Sequence, residues 1–229
     1  MNVLVACEES QTVCKAFRDR GHRAFSCDIQ DCSGGHPEWH IKGDVLPLLN
    51  GDITFTTVDT HTHTQSGQWD LLIAHPPCTY LTNGGAVRMF VQTGVIDPNR
   101  YALAMEGKEF FMKCLKAKCE HIAVENPVPM SVVGLPEYDQ IIEPYWFGDP
   151  YSKRTCLWLK NLPKLKPTNM LTEWQVLING GGGRLEREHY KDKQFANTAK
   201  ARSKTFKGVA EAMAAQWTDT YQVQMQMEL

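Results

Sequence analysis

Four short apolar runs set what this chain can fold into: NVLVA at 2–6, RAFSC at 23–27, QWDLLIA at 68–74 and HIAVE at 121–125. Each has the length of a strand, and together they read as strands buried on both faces. Between the first two lies ESQTVCKAFRDRG, in which Ser10 can cap a helix that Gly21 ends. A second helix fits residues 100–118, with Leu103, Phe110, Phe111, Cys114 and Leu115 on one face. Strands alternating with helices predict a mostly parallel, twisted α/β sheet covered on both faces. IIEPYW and TCLWL, separated by FGDPYSKR, read as a late antiparallel hairpin, and 52–67 as a smaller hairpin excursion. A closing helix near 203–221 presents Phe206, Ala210, Met213 and Trp217 at helical spacing.

In such a sheet ligands bind beyond the carboxyl ends of the strands. The chain places its unusual residues there. Asp28 follows the second run, and Asp44 follows the short apolar step in HIKGDVL. AHPPCTYL (74–81) carries a strand straight into Pro76-Pro77-Cys78, a turn whose prolines fix the backbone and present the thiol at the sheet edge. IAVENPVP (122–129) closes an apolar strand on Glu125. A carboxyl in an apolar pocket is expected to have a raised pKa, suited to protonating a pyrimidine ring nitrogen.

Cys78 in a Pro-Cys turn after the fourth strand, and Glu125-Asn126 after the fifth, resemble the cytosine-5 DNA methyltransferase family. The resemblance extends over roughly 1–160 and 203–217, with KGVAEAMAAQW (207–217) similar to the family's closing motif. It implies a Rossmann-like class I methyltransferase fold using S-adenosyl-L-methionine, with residues 1–229 as a single catalytic domain. Cys78 would be the nucleophile that adds to pyrimidine C6, Glu125 the base-binding acid and Arg154 a third catalytic group. Asp28 would bind the cofactor ribose and Asp44 the adenine, with Cys7, Glu8, Ser10, His75 and Pro76 completing the cofactor site. Pro77, Thr79, Asn126, Pro127 and Lys153 would meet the substrate.

The family's glycine-rich first loop is here ACEESQ, without glycine; helix amides after Ser10 are expected to bind the cofactor carboxylate instead. The family's Gln after the cysteine is Thr79, and its target-recognition domain shrinks to a short basic insert, 164–202. There Arg184, Arg187, Lys191 and Lys193 beside NGGGGR read as a mobile, phosphate-contacting arm. DNA is the expected partner, with a free pyrimidine nucleotide or RNA as the alternative on the same chemistry. A non-catalytic nucleic-acid-binding module is a further alternative. Amino-methyltransferases resemble Asp/Asn-Pro-Pro-aromatic at this turn; His75 and Cys78 stand in those places, and a thiol attacks carbon.

A net charge of −2 excludes coating of nucleic acid by charge alone. The start, MNVLVACEES, reads as a strand and not a signal peptide, and no run of about 18 apolar residues predicts a membrane span. Eight cysteines, mostly within apolar segments, are expected as reduced core thiols in a cytoplasmic protein. No metal is expected: Cys27, Cys32, His36 and His40 fit no standard zinc-finger spacing, and His61 and His63 read as surface residues.

Overall fold

The computed structural model describes residues 1–172, 175–176 and 204–227. Seven strands form the main sheet: β1 (Asn2–Ala6), β2 (Arg23–Asp28), β3 (His40–Lys42), β6 (Leu71–Ala74), β9 (His121–Pro127), β10 (Gln140–Ile142) and β12 (Thr155–Lys160). Their order is β10, β12, β9, β6, β1, β2, β3. All neighbouring pairs are parallel except those of β12, which runs against both β9 and β10. The mostly parallel sheet with a late antiparallel pair is therefore present. The pair is not a tight hairpin, however. β12 inserts between β9 and β10, after a connection holding a 3₁₀ turn at Pro144–Trp146 and the short β11 (Tyr151–Ser152). That insertion positions the site, because a reversed strand begins at the edge where its parallel neighbours end.

The period-two alternation of strand side chains splits the interior into two cores. Leu4, Phe25, Leu72, Ile122, Val124 and Trp158 face one side, beneath α2 (Pro98–Leu115). Val3, Val5, Leu71, Ile73, Ala123 and Leu157 face the other, beneath α1 (Thr12–Asp19) and α3 (Lys207–Met227). Full burial of one such side chain stabilises the fold by about 1.5–3 kcal/mol. Ala210, Met213 and Trp217 form the expected buried stripe of α3, and Trp217 Nε1 donates to the Pro163 carbonyl at 3.0 Å.

Two helix readings change. Ser10 does not cap α1: the N-cap is Gln11, and Ser10 Oγ lies 3.1 Å from Thr12 Oγ1. On α2 the buried residues Ala104, Phe111 and Cys114 define the inner stripe, so Leu103, one residue off it, is exposed. The 52–67 excursion is an antiparallel pair, β4 (Ile53–Thr56) with β5 (Thr62–Gln65), in which His61 meets Asp59 and His63 packs on Phe25; a second small pair joins β7 (Phe90–Gln92) to β8 (Val95–Ile96). All eight cysteines are free. No helix among the described residues is long and apolar enough to cross a membrane.

Candidate active site

The strand order turns outward in both directions between β1 and β6, and the carboxyl ends of these two strands open a cleft of about 720 Å³. Such a switch point is where an open α/β sheet leaves room for a ligand. The loop after β1 supplies Cys7, Glu8, Glu9 and Ser10 to its wall. Asp28 and Asp44 come from the ends of β2 and β3. The turn after β6 gives His75, Pro76, Pro77, Cys78 and Thr79; Glu125, Asn126 and Pro127 come from β9, and Lys153 and Arg154 precede β12. Fifteen of the seventeen site residues expected from sequence thus line one cleft. The other two, Arg184 and Arg187, lie outside the described residues, as does most of the expected basic arm.

The Pro-Pro-Cys turn is held from both sides. Pro76 is buried, and its carbonyl accepts a 2.9 Å hydrogen bond from Asn126 Nδ2. Leu81 N and Thr82 Oγ1 both donate to the Cys78 carbonyl, at 3.0 and 3.2 Å. Met130 N donates to the Leu81 carbonyl, which ties the turn to the chain leaving β9. Asn126 is 1% exposed and lines the cleft; its amide nitrogen clamps the proline turn, and its Oδ1 is buried without a hydrogen-bond partner.

Burial pushes the Cys78 thiol above its ordinary pKa, and the Glu125 carboxylate pushes it further, while Lys153 partly offsets both. Glu125 departs from expectation. Burial alone would raise its pKa, but the hydrogen bond from His75 and the charge of Lys153 outweigh burial and hold it below the ordinary value. His75 Nδ1 lies 3.0 Å from Glu125 Oε2. The nearby cation that acts on both Cys78 and Glu125 is Lys153. Arg154 is two-thirds exposed at the cleft rim, its Nε 3.8 Å from Glu143 Oε1.

The first loop achieves without glycine what glycine usually permits. Cys7 and Gln11 both take left-handed backbone, with φ of 60° and 57°. Each costs roughly 1–2 kcal/mol. Gln11 offsets its share with a fully buried amide that bonds His36 N and the His36 carbonyl at 3.0 and 2.8 Å. Glu8, expected to face a cofactor, turns inward instead. Its carboxylate accepts from Val13 N at 2.6 Å and Cys14 N at 3.1 Å, filling the α1 amide site assigned from sequence to a ligand carboxylate. Burial still raises its pKa, though His75 and these two amides work the other way.

Gly34 packs against this loop so closely that a Cβ there would meet Gln11 Cβ at 2.5 Å and the Ser10 carbonyl at 2.6 Å. Gly34→Ala is therefore expected to destabilise the fold by about 1–3 kcal/mol, lowering Tm by several degrees. Gly43→Ala, at a site where a Cβ meets nothing within 4 Å, should lie within about 0.5 kcal/mol of wild type. Thermal melts of the two variants check the contrast; equal Tm values would contradict it.

Sequence reasoning missed three contributors. Glu9 is 7% exposed, and its Oε2 is buried without a hydrogen-bond partner. Lys204, just before α3, reaches Ser33 Oγ at 3.0 Å and Glu9 Oε1 at 4.0 Å. Ile29 lines the cleft beside Asp28 while 76% exposed. The paired acids in ACEES were the only available signal for Glu9, and nothing local announces Lys204. Of the residues considered for zinc, His40 bonds Ser26 Oγ and the Gln30 carbonyl, and His36 stacks on Trp39.

Fold and cleft define an α/β protein with a thiol, a buried carboxylate–imidazole pair and the further acids Glu8, Glu9, Asp28 and Asp44 around one cleft. No family profile and no curated sequence matches the chain. Among solved structures it is similar to a protein designated a DNA modification methyltransferase, encoded within an E. coli prophage, at 14% identity over 69% of this chain, with a TM-score of 0.39. It is also similar to the Entamoeba histolytica methyltransferase EhMeth, at 15% identity over 75% of this chain, with a TM-score of 0.41. The chain spans 46% and 57% of the lengths of these two proteins.

Proposed function

We propose that this protein transfers a methyl group from S-adenosylmethionine to C5 of cytosine in DNA, through a covalent adduct on Cys78. The observation that carries the reading is the sharing of one cleft by Cys78 and Glu125 with the acids Asp28 and Asp44. A nucleophilic thiol and a carboxyl able to hydrogen-bond a pyrimidine edge stand at one end. Two acids and exposed Ile29, a set suited to ribose hydroxyls and an adenine, stand at the other.

The donor set also fits the amino-acid end of the cofactor. With α1's first amides taken by Glu8, a carboxylate group finds its counter-charge in Lys204, and an ammonium group finds it in the unpartnered Oε2 of Glu9. Bound there, the sulfonium cofactor supplies an electrophilic methyl group. The chain's own residues do the rest. Cys78 sulfur adds to C6, which makes C5 a nucleophile. Glu125 bonds N3 and the exocyclic amine, with Lys153 beside it to balance charge. In duplex DNA the cytosine must first leave the stack, since C6 is unreachable within it.

Titration calorimetry with S-adenosylmethionine tests the cofactor half. Wild type should bind, and Asp28→Ala should bind about tenfold to a hundredfold more weakly, the worth of a hydrogen bond to a charged group. Absence of heat for wild type with both the cofactor and its demethylated product would remove the basis of the proposal.

A further inference from the structure

His75 leaves β6 directly into the cleft wall, and its side chain is 9% exposed. Nδ1 bonds Glu125 Oε2 at 3.0 Å, while Nε2 is buried with no hydrogen-bond partner. A buried ring nitrogen left in this way costs about 1–3 kcal/mol, so the ring is not there for packing alone. Glu8, in the loop after β1, lies within electrostatic reach of the same imidazole, which therefore stands between two carboxylates. The other groups facing Glu125 are Lys153 and Thr155 around the start of β12, with the thiols of Cys78 and Cys156.

The proposed reaction sets a requirement that Glu125 alone does not meet. When sulfur adds to C6, ring N3 must gain a proton. His75 and Lys153 both favour the Glu125 anion, so the proton is not kept on the carboxyl itself. We propose that His75 is the proton store for Glu125, supplying through Nδ1 the proton that Glu125 delivers to N3 of the target cytosine. The inference rests on the cytosine-5 reading above and adds to it a proton source.

The step balances as follows. The sulfur lone pair forms the C6–S bond as the thiol proton leaves to water. The C5=C6 π pair becomes the C4=C5 π pair, and the former C4=N3 pair takes the proton on N3. That proton comes from Glu125, which regains one from His75 Nδ1 along the 3.0 Å bond. After methyl transfer the C5 proton leaves to water, the C6–S bond breaks, and the N3 proton returns to the pair. His75 touches no reacting atom in this scheme; it acts through Glu125 as a positioning and proton-holding residue.

The test is the pH dependence of single-turnover methyl transfer to duplex DNA, for wild type and His75→Asn. The asparagine amide can still donate to Glu125 but has no proton to release. Wild type should give a bell-shaped profile, because the reacting form needs an ionised thiol and a protonated pair together. His75→Asn should be about tenfold or more slower near neutral pH. The limb that reports the pair should move to lower pH, because a carboxyl without a coupled imidazole gives up its proton sooner than the pair does. The thermal midpoint should stay close to that of wild type, which reports that the variant is folded; His75→Gln serves the same comparison if the asparagine variant melts early. A variant with the wild-type rate and limb overturns the proposal, as does a uniform loss with the limb unmoved. Wild type that methylates cytosine at no pH defeats the cytosine-5 reading instead, and the proton store falls with it.

Discussion

Duplex DNA carrying 5-fluorocytosine should trap the wild-type protein as a complex that survives denaturation, and Cys78→Ser should form none. Once methyl is on C5, fluorine has replaced the proton whose loss would release the thiol, so the adduct has no exit. Trapping should therefore require the methyl donor. Cys78 is well placed for this part: its turn is fixed by Pro76, Pro77 and the Asn126 clamp, and its thiol is half-buried in the cleft. Its raised pKa means that the thiol must ionise on the way to the adduct. A serine hydroxyl ionises far less readily, so turnover of Cys78→Ser should fall by about three orders of magnitude or more. Cys32 is the informative control because it too is partly exposed. Cys32→Ser should trap like wild type. Normal turnover by Cys78→Ser would end the covalent account.

Glu125→Gln should move two observables in opposite directions. Glutamine can still accept from His75 but cannot carry a proton to N3, so methyl transfer should slow by about 10²–10³-fold. Cofactor affinity should hardly change, since the side chain serves the base. The same substitution removes the anion that raises the Cys78 pKa, leaving burial and Lys153. More thiolate is then present at a given pH, and alkylation of Cys78 by iodoacetamide should become faster, by up to about tenfold for one unit of pKa. Slower methylation with faster alkylation separates loss of proton delivery from loss of structure. If both rates fell together, Glu125 would be acting by holding the turn in place.

What was legible in the sequence follows from which forces are local. Apolar runs such as NVLVA and LLIA declare buried strands by themselves, and the residues ending those strands fall at one edge of the sheet by topology alone. Cys78, Glu125, Asp28 and Asp44 can therefore be gathered into one cleft from the sequence alone, as the structure does. Side-chain direction within loops is decided by competing partners, which local sequence does not record. Glu8 turned to the amides of Val13 and Cys14, and Gln11 displaced Ser10 from the helix cap. The depressed pKa of Glu125 was likewise hidden. It depends on His75 from another strand end and on Lys153, brought near by a reversed strand whose insertion no local pattern records. Lys204 reaches Ser33 across 171 positions of chain, a contact that only the packing of α3 beside α1 creates.

The most direct test of the central claim is transfer of a tritiated methyl group to duplex DNA, RNA and free pyrimidine nucleotides in parallel, with the labelled base identified by mass spectrometry. The account predicts 5-methylcytosine in DNA, formed by wild type and not by Cys78→Ser. A methyl group on an exocyclic nitrogen would assign the Pro-Pro turn to amine chemistry and contradict it. So would cofactor binding with no transfer to any of the three substrates.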